Sequence, residues 1–538
     1  MTITTPDTAS QSTQSGLIRE YKLWLPAWVR RLPGWVRVGA VLLILAAASL
    51  YLRTKYVGGQ FWMDEAITVG ISSHKLSAIP GILRYDGSPP LFYLLLHVWM
   101  QMVGNGAAAT HWLSEIFAVI TVPVGYWAGL SIAGRRAGLT TATLFAFNAF
   151  LDYYSVETRM YALMTLLALL ATIGFVHGFV FRRRRYVALF SVSQALMLYT
   201  HNWALFFAAA TLLSLVVLYL ISGHEIRKNL VKDTIFAYVG AAVLFVPWIH
   251  NFMFQVAHTA APWDTVPRFG APVQIAKSVF GGASITVVLL AGAAVGYSRL
   301  VTSREERVSR EAKVVLMLVV IPALTLLVAW ISSHVVTPAW DVRYFAPVVA
   351  PLVLLLAIGI ARAGVLGALA IVFTIIFMAR PHSFEPQYKS DMQDIAGELA
   401  PMLHRGDLVI VGQPESTPLA YYYLPAGLRW ANTIGPVKDP SYMNWVDAQQ
   451  RYEDSDPWKV LPPLLSSLKP GQQLLYIRPL TEGEVNWAAP WTELVQARSA
   501  QWGEIIAADK QLVPEATAPH NYRGSCCIAD SAVLYKKI

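Results

Sequence analysis

The segment "FWMDEAITVG", residues 61–70, places two adjacent carboxylates, Asp64 and Glu65, a few residues after a strongly apolar stretch. A carboxylate beside a membrane segment is costly unless it lies in water or performs a task. One such task is to take the proton from a hydroxyl group that is about to react. The chemistry open to this pair therefore depends on which side of the membrane it occupies and on the groups that accompany it.

Further polar residues with chemical potential lie in short segments between apolar stretches: Ser88 and His97 in "GSPPLFYLLLH", Asp152, Glu157 and Arg159 in "DYYSVETRMYAL", His201 in "YTHNW", and Arg343 and Tyr344 in "TPAWDVRYFAP". Arginine can bind two phosphate oxygens at once, and aromatic faces suit sugars. Each residue by itself is equally compatible with a helix cap or an interface anchor. The sequence has no phosphate-binding loop and no metal-spaced cluster, so it predicts no ATP use, no cofactor and no metal.

Composition defines the class of protein. Of the 538 residues, 55% are hydrophobic and 14% are charged, whereas a soluble domain carries roughly 25% charged residues. The chain is therefore predicted to be an integral membrane protein. Its net charge of +9 does not indicate nucleic-acid binding, because the charge is uneven. The first 379 residues hold 28 basic and 15 acidic residues, and the remainder holds 14 and 18.

Apolar windows predict the membrane spans, which need about 20 residues each. We find eleven such windows, at residues 38–53, 112–133, 138–153, 160–180, 186–200, 203–222, 235–253, 274–298, 313–332, 344–361 and 363–379. The segment 89–104, "PPLFYLLLHVWMQMVG", is also apolar but short, and it contains a histidine and a glutamine. We interpret it as a helix lying in the membrane interface.

The charges of the loops predict the orientation. One set of alternate loops, with the N-terminal segment, holds 20 basic residues, and the opposite set, excluding the tail, holds seven. Basic residues favour the cytoplasmic side. The N-terminus is therefore predicted inside and the tail outside, in the plasma (inner) membrane. The first external loop then covers residues 54–111, which places Asp64 and Glu65 outside.

These patterns give three regions: a cytoplasmic segment at 1–36, a polytopic α-helical membrane domain at 37–379, and a soluble extracytoplasmic α/β domain at 380–538. The first span resembles a signal peptide in its small residues, but its polar lead is long, so an uncleaved anchor is the better interpretation. The adjacent Cys526 and Cys527 are read as two thiols or as one incidental bridge.

The polar segments also carry a resemblance. The ordered motifs F-W-x-D-E-A, D-x-S-P-P-L-F-Y-L-L-L-H-x-W, Y-S-x-E-x-R-M-Y-A-L, Y-T-H-N-W and D-x-R-Y-F-x-P resemble the bacterial branch of the dolichyl-phosphate-mannose–protein mannosyltransferases. These are membrane glycosyltransferases of the GT-C type, a group that includes the lipid A aminoarabinose transferase. The likeness covers about residues 55–380. The tail resembles extracytoplasmic appendages of such enzymes, and this likeness says little about the chemistry.

The resemblance implies a transferase that moves a sugar, such as mannose or another hexose or pentose, from a polyprenyl-phosphate carrier to a hydroxyl of a glycan, protein or lipid. It implies that Asp64 is catalytic, with Glu65 as the second acid. Donor phosphate would be bound by Arg159, Arg343, His201 and Tyr344, and substrate by Glu157, Asp152, Ser88 and His97. One base and cationic groups fit a single displacement with inversion. A flippase or transporter of lipid-linked sugars is the alternative.

Overall fold

The computed structural model describes residues 31–259, 263–301, 306–380, 389–481, 487–520 and 529–538. The chain divides into two compact units, Met1–Ile44 and Leu45–Ile538. Most of the predicted N-terminal segment lies outside the described residues, as do Cys526 and Cys527. Every residue of the predicted site belongs to the second unit.

The described residues up to position 380 are mainly helical. In chain order the α-helices are α1 Gly34–Thr54, α2 Met63–Ser72, α3 Ile79–Asp86, α4 Leu91–Val103, α5 Ala107–Ala133, α6 Arg135–Ala146, α7 Ala149–Tyr154, α8 Tyr161–Phe175, α9 Arg185–Leu198, α10 Ala204–Leu220, α11 His224–His258, α12 Gln274–Ser278, α13 Ala283–Val301, α14 Glu306–Val335, α15 Ala346–Ile360 and α16 Val365–Met378. Each of the eleven predicted apolar windows overlaps at least one of these helices, and the windows 138–153 and 274–298 each overlap two.

Six of the described helical segments are long and apolar enough to cross a membrane: Gly34–Thr54, Ala107–Ala133, Tyr161–Val180, His224–His258, Arg310–Val335 and Val342–Ile360. A seventh is obtained if Ala271–Ser278 and Ala283–Ser298, which meet at an angle of 87°, form one broken span. Four further apolar helices have only 10–17 residues. The structure therefore supports a multi-pass membrane protein, and the count of eleven spans stays a prediction.

The predicted first external loop is not irregular. It folds into α2, α3 and α4, and α4 coincides with the segment that we predicted as an interfacial helix. The loop carries its own buried core, in which Phe61, Ile71, Leu83 and Leu96 have no exposed surface. Such packing gives the carboxylates of α2 a rigid base.

The tail forms a mixed α/β layer, as the sequence predicts. Its elements are α17 Met392–Leu399, β1 Leu408–Val411, α18 Thr417–Tyr423, β2 Arg429–Asn432, β3 Gly435–Val437, α19 Ala448–Glu453, α20 Pro457–Ser466, β4 Gln473–Pro479, α21 Pro490–Ala508, β5 Leu512–Ala518 and β6 Asp530–Lys537. The sheet order is β3-β2-β1-β4-β6-β5. Strand β1 runs parallel to β2 and β4, and the other pairs are antiparallel. The predicted domain boundary near residue 380 stays a prediction, because the tail and the membrane part share one compact unit.

The tail is docked on residues 54–111, the predicted first external loop. The Phe61 N–H donates to the Tyr423 hydroxyl at 2.9 Å, and the Ser390 hydroxyl donates to the Phe61 carbonyl at 2.7 Å. Helix α2 approaches the tail so closely that a β-carbon at Gly70 would lie 1.8 Å from the Ser441 carbonyl oxygen. Only glycine fits this contact, and the tail therefore helps to fix the position of α2.

Candidate active site

A cavity of about 940 Å³ opens where the first loop, the helix ends and the tail meet. This volume is near the upper end of the roughly 300–1,000 Å³ that is usual for ligand sites. The cavity brings together most of the residues that the sequence singled out. Those that line it are Asp64, Ser88, Glu157, Arg159, His201, Arg343 and Tyr344.

Asp64 lies between two guanidinium groups. Its Oδ2 atom is 3.0 Å from Nη1 of Arg343 and 3.7 Å from Nη2 of Arg159. Asp64 occupies the first turn of α2, where the partial positive charge of the helix N-terminus favours a carboxylate. Its side chain keeps 22% of its exposure, so it remains reachable from the cavity.

Arg343 lies in the short turn Val342–Phe345 that leads into α15. Its Nε is 3.4 Å from Asp341 Oδ2, and its backbone N–H donates to Asp341 Oδ1. The guanidinium also lies over the Trp62 ring, 5.3 Å from its centroid. Arg343 thus forms a salt bridge to Asp341, and the same guanidinium also reaches Asp64.

Arg159 is held by the other side of α2. Its Nη1 donates to the Thr68 hydroxyl at 2.7 Å and to the Asp64 carbonyl at 3.3 Å. Its guanidinium lies 5.9 Å from the centroid of the Tyr161 ring. Two arginines, each with only 11–14% of its side chain exposed, therefore converge on one carboxylate, and this arrangement can bind an anionic ligand.

His201 completes this wall of the cavity as a neutral group. Burial, together with the positive charges of Arg159 and Arg343, lowers the pKa of His201 to about 3. The Trp203 backbone N–H donates to Nδ1 of His201 at 3.1 Å, which assigns the ring proton to Nε2. The ring lies 5.0 Å from that of Tyr344. His201 can thus donate one hydrogen bond without adding charge.

Two further carboxyls near the cavity are shifted toward their neutral forms. Burial raises the pKa of Glu157 to about 8, against the opposing effect of the nearby positive charge of Lys389. Burial also raises the pKa of Asp86 to about 6, although a hydrogen bond with Ser88 opposes the change. Shifted carboxyls of this kind cluster at functional sites.

Glu65, in contrast, does not line the cavity. Its carboxylate is fully buried and is enclosed by donors from four parts of the chain. Oε1 accepts hydrogen bonds from His111 Nε2 at 2.6 Å and from the Thr158 N–H at 2.7 Å. Oε2 accepts from Lys389 Nζ at 2.9 Å and from the Trp62 N–H at 3.3 Å. Burial alone would raise the pKa of Glu65, but Lys389 and His111 hold it well below its usual range.

Asp152 and His97 also lie away from the cavity lining. Asp152 is 3.9 Å from the guanidinium of Arg53. The His97 Nδ1–H donates to the Ser72 carbonyl at 2.9 Å and so joins α4 to the end of α2. Among the residues that the structure describes, no three His, Cys, Asp or Glu side chains are grouped so that they could hold a metal ion.

Comparison of the sequence with known proteins finds no matching family and no similar curated protein. Comparison of the structure does find relatives. Two structures of ArnT from Cupriavidus metallidurans, one bound to undecaprenyl phosphate and one in the apo state, match with a TM-score of 0.59. The identity is 13% and 14%, and the match covers 94% of this chain and 98% of ArnT.

The chain has an ArnT-like GT-C fold. The mycobacterial arabinofuranosyltransferase AftD matches as well, with a TM-score of 0.50 and 14% identity, over 92% of this chain and 41% of AftD. The match to ArnT includes the tail, because it covers nearly the whole of both chains. The resemblance of the motifs to GT-C glycosyltransferases is thereby confirmed at the level of the fold.

Several residues of the site were not found from the sequence. His111 and Lys389 enclose Glu65, and Gln413, Glu415 and Trp445 of the tail line the cavity. Lys389 lies 324 residues after Glu65, and nothing in its local sequence distinguishes it from a surface lysine. His111 offers a weak signal, since it is a histidine at the start of an apolar helix.

Proposed function

We propose that this chain is a membrane glycosyltransferase that takes a sugar from a polyprenyl-phosphate carrier and attaches it to an acceptor hydroxyl. The observation that carries the proposal is the convergence of Arg159 and Arg343 on Asp64 inside a large cavity. The solved complex of ArnT with undecaprenyl phosphate supports the choice of carrier, because ArnT shares this fold.

The two arginines bind the donor phosphate in this proposal. Each guanidinium presents a planar set of N–H donors that matches phosphate oxygens. His201 and Tyr344, which line the same cavity, add hydrogen-bond donors. Since His201 is neutral, only the two arginines among these four residues bring positive charge to the phosphate. Their charge stabilises the negative charge that grows on the leaving group.

Asp64 is the base. As the acceptor oxygen attacks C1 of the sugar, its proton passes to the Asp64 carboxylate, and the bond between C1 and the phosphate oxygen breaks. The products are the glycosylated acceptor and polyprenyl phosphate. Because a single displacement occurs on the face opposite the leaving group, the configuration at C1 is inverted. The two arginines also hold the Asp64 carboxylate in place before the donor binds. When the donor binds, its phosphate also contacts these arginines.

Glu65 positions these groups and does not react. It joins the first turn of α2, which carries Asp64, to the Thr158 N–H, which adjoins Arg159. Glu157, Ser88 and the tail surface remain to bind the sugar and the acceptor. We infer from the charge bias of the loops that the whole site faces the extracytoplasmic side of the plasma (inner) membrane.

Product analysis tests the proposal. Purified protein is incubated with radiolabelled polyprenyl-phosphate mannose or arabinose and a cell-envelope fraction, and the labelled product is identified. We expect label in a covalent product with inverted anomeric configuration by NMR, and no label with Arg343→Ala. Label that crosses a sealed vesicle while still attached to the carrier would favour the flippase alternative and contradict the transferase.

A further inference from the structure

The tail contributes a polar surface to the cavity that the donor groups do not explain. It comes from Gln413 and Glu415, on either side of Pro414 in the turn after β1. Nε2 of Gln413 donates to Oε1 of Glu415 at 2.9 Å, and Nε1 of Trp491 donates to the same oxygen at 2.9 Å. The two side chains are thus locked in one arrangement.

Each of the two side chains keeps one acceptor unused. Within the described part of the chain, no side-chain or backbone group of another residue donates a hydrogen bond to Gln413 Oε1 or Glu415 Oε2. The side chains are 1% and 5% exposed, and both face the cavity. A buried acceptor without a partner is costly, so a pair of them at a cavity wall indicates a ligand that carries hydroxyl donors.

An aromatic surface adjoins this pair. The Trp445 ring lines the cavity and lies 5.0 Å from Trp491, the same ring that donates to Glu415. The ring of Trp263 lies 4.6 Å from the ring of Trp445. Aromatic faces pack against the C–H surface of a sugar ring, while the hydroxyls of that ring reach the neighbouring polar atoms.

This surface borders the catalytic carboxylate. Gln413 Nε2 lies 3.9 Å from Sδ of Met63, the residue before Asp64. The arginines that bind the donor phosphate come from other elements, the segment before α8 and the turn before α15. The tail surface is therefore placed to hold the group that attacks rather than the group that leaves.

We propose that Gln413, Glu415 and Trp445 form the acceptor subsite, and that the acceptor is a carbohydrate. The inference rests on the proposed transferase function. Two adjacent hydrogen-bond acceptors fit the neighbouring hydroxyls of a sugar ring, and the indole fits its apolar face. A serine or threonine side chain has a single hydroxyl and no ring.

Binding experiments on the full-length protein in nanodiscs test this subsite. Trisaccharides of mannose, glucose and arabinose are titrated by saturation-transfer NMR, and a serine- and threonine-containing peptide is titrated in parallel. Binding of undecaprenyl phosphate is measured separately. The variants are Glu415→Ala, Glu415→Gln and Trp445→Ala. The matched control is Glu453→Ala, since Glu453 also accepts from a glutamine, Gln449, but on the exposed surface of the tail.

We expect at least one trisaccharide to bind at millimolar concentration. Its affinity should fall about tenfold or more in Glu415→Ala, because a hydrogen bond to a carboxyl is lost, and by a similar factor in Trp445→Ala. Glu453→Ala should bind it as the wild type does. Thermal unfolding shows whether Glu415→Ala and Trp445→Ala are folded. If either is not, Glu415→Gln, which keeps the side-chain volume, should still weaken trisaccharide binding severalfold.

Unchanged trisaccharide affinity in folded Glu415 and Trp445 variants would overturn the subsite. Binding of the peptide alone, or of none of the probes at tens of millimolar, would overturn the carbohydrate assignment. Failure of the transferase proposal has a different signature: the wild-type protein would form no labelled covalent product in the transfer assay, while the trisaccharide would still depend on Glu415 and Trp445.

Discussion

Replacement of Lys389 by methionine should destabilise the protein strongly, although Lys389 lies far from Asp64 in sequence. Its side chain has no exposed surface, and Nζ donates to Glu65 Oε2 at 2.9 Å and to the Val156 carbonyl at 2.8 Å. Methionine keeps most of the side-chain volume but leaves the buried Glu65 carboxylate without its cation. Removal of one partner from a buried ion pair costs about 3–5 kcal/mol.

A double-mutant cycle with Glu65→Gln isolates the ion pair from general packing damage. If the charges interact as the structure indicates, Lys389→Met should cost much less in the Glu65→Gln background than in the wild type. The coupling free energy between contacting residues is about 0.5–3 kcal/mol, and a buried ion pair should lie in the upper part of that range. Transfer activity should fall in Lys389→Met, because Glu65 positions the turn that carries Asp64.

The free energy of unfolding can be measured by denaturation with SDS in mixed micelles. Lys459→Met is the matched control, since Lys459 is 84% exposed and pairs with Asp456 at 3.5 Å. A surface change of this kind should stay within about 0.5 kcal/mol of the wild type. The reasoning is refuted if Lys389→Met is as harmless as Lys459→Met, or if the cycle shows no coupling.

Arg343→Lys should weaken the binding of undecaprenyl phosphate clearly, because lysine offers a point charge in place of a planar fork, and Arg343→Ala should weaken it severely. If both variants bind undecaprenyl phosphate as the wild type does, the role of Arg343 is restricted to its bridge with Asp341. The pKa of Glu157 is raised from 4.5 to about 8, so its stabilising contribution is complete below pH 4.5 and is lost as the pH rises to about 8. Glu157→Gln should therefore flatten the fall in unfolding free energy over that window, and an unchanged slope would contradict the shift. In a cysteine-free background, Leu76→Cys should react with an impermeant thiol reagent in intact cells and Lys228→Cys should not; the reverse result would invert the orientation.

The helices and the meeting of the charged groups could be predicted from the sequence. Apolar windows locate a helix in every case, because a span must satisfy its backbone internally. The loop charges then assign Asp64, Arg159 and Arg343 to the same side of the membrane. Groups at one end of a helical bundle have little room to separate. In the structure, the guanidinium groups of Arg159 and Arg343 each lie within 4 Å of the Asp64 carboxylate.

The difference between Asp64 and Glu65 could not be predicted from their types, because both are acids in one motif. Helical geometry explains it: consecutive residues on α2 point about 100° apart, so one carboxylate faces the cavity while the other turns into the protein. The partners of Glu65 come from segments far away along the chain, and only the folded structure shows that Lys389 and His111 neutralise it.

The contribution of the tail to the cavity could not be predicted from the sequence. Gln413, Glu415 and Trp445 line the cavity, and Lys389 supports the turn that carries Asp64. The sequence of the tail shows strands and helices with ordinary turns, and the turn after β1 resembles any other. What gives this turn a role is its place beside α2, where Gln413 Nε2 lies 3.9 Å from Sδ of Met63.

The central claim is that Asp64 is the base for sugar transfer, and the single-turnover rate of Asp64→Asn tests it most directly. Asparagine keeps the shape of the side chain but cannot accept the proton, so transfer from a polyprenyl-phosphate sugar should slow by at least about 10²–10⁴-fold. Binding of undecaprenyl phosphate should persist, since Arg159 and Arg343 remain. Asp454→Asn, at an exposed position of the tail that pairs with Gln450, should transfer at the wild-type rate. A rate for Asp64→Asn within a few-fold of that control, with donor bound, would contradict the account.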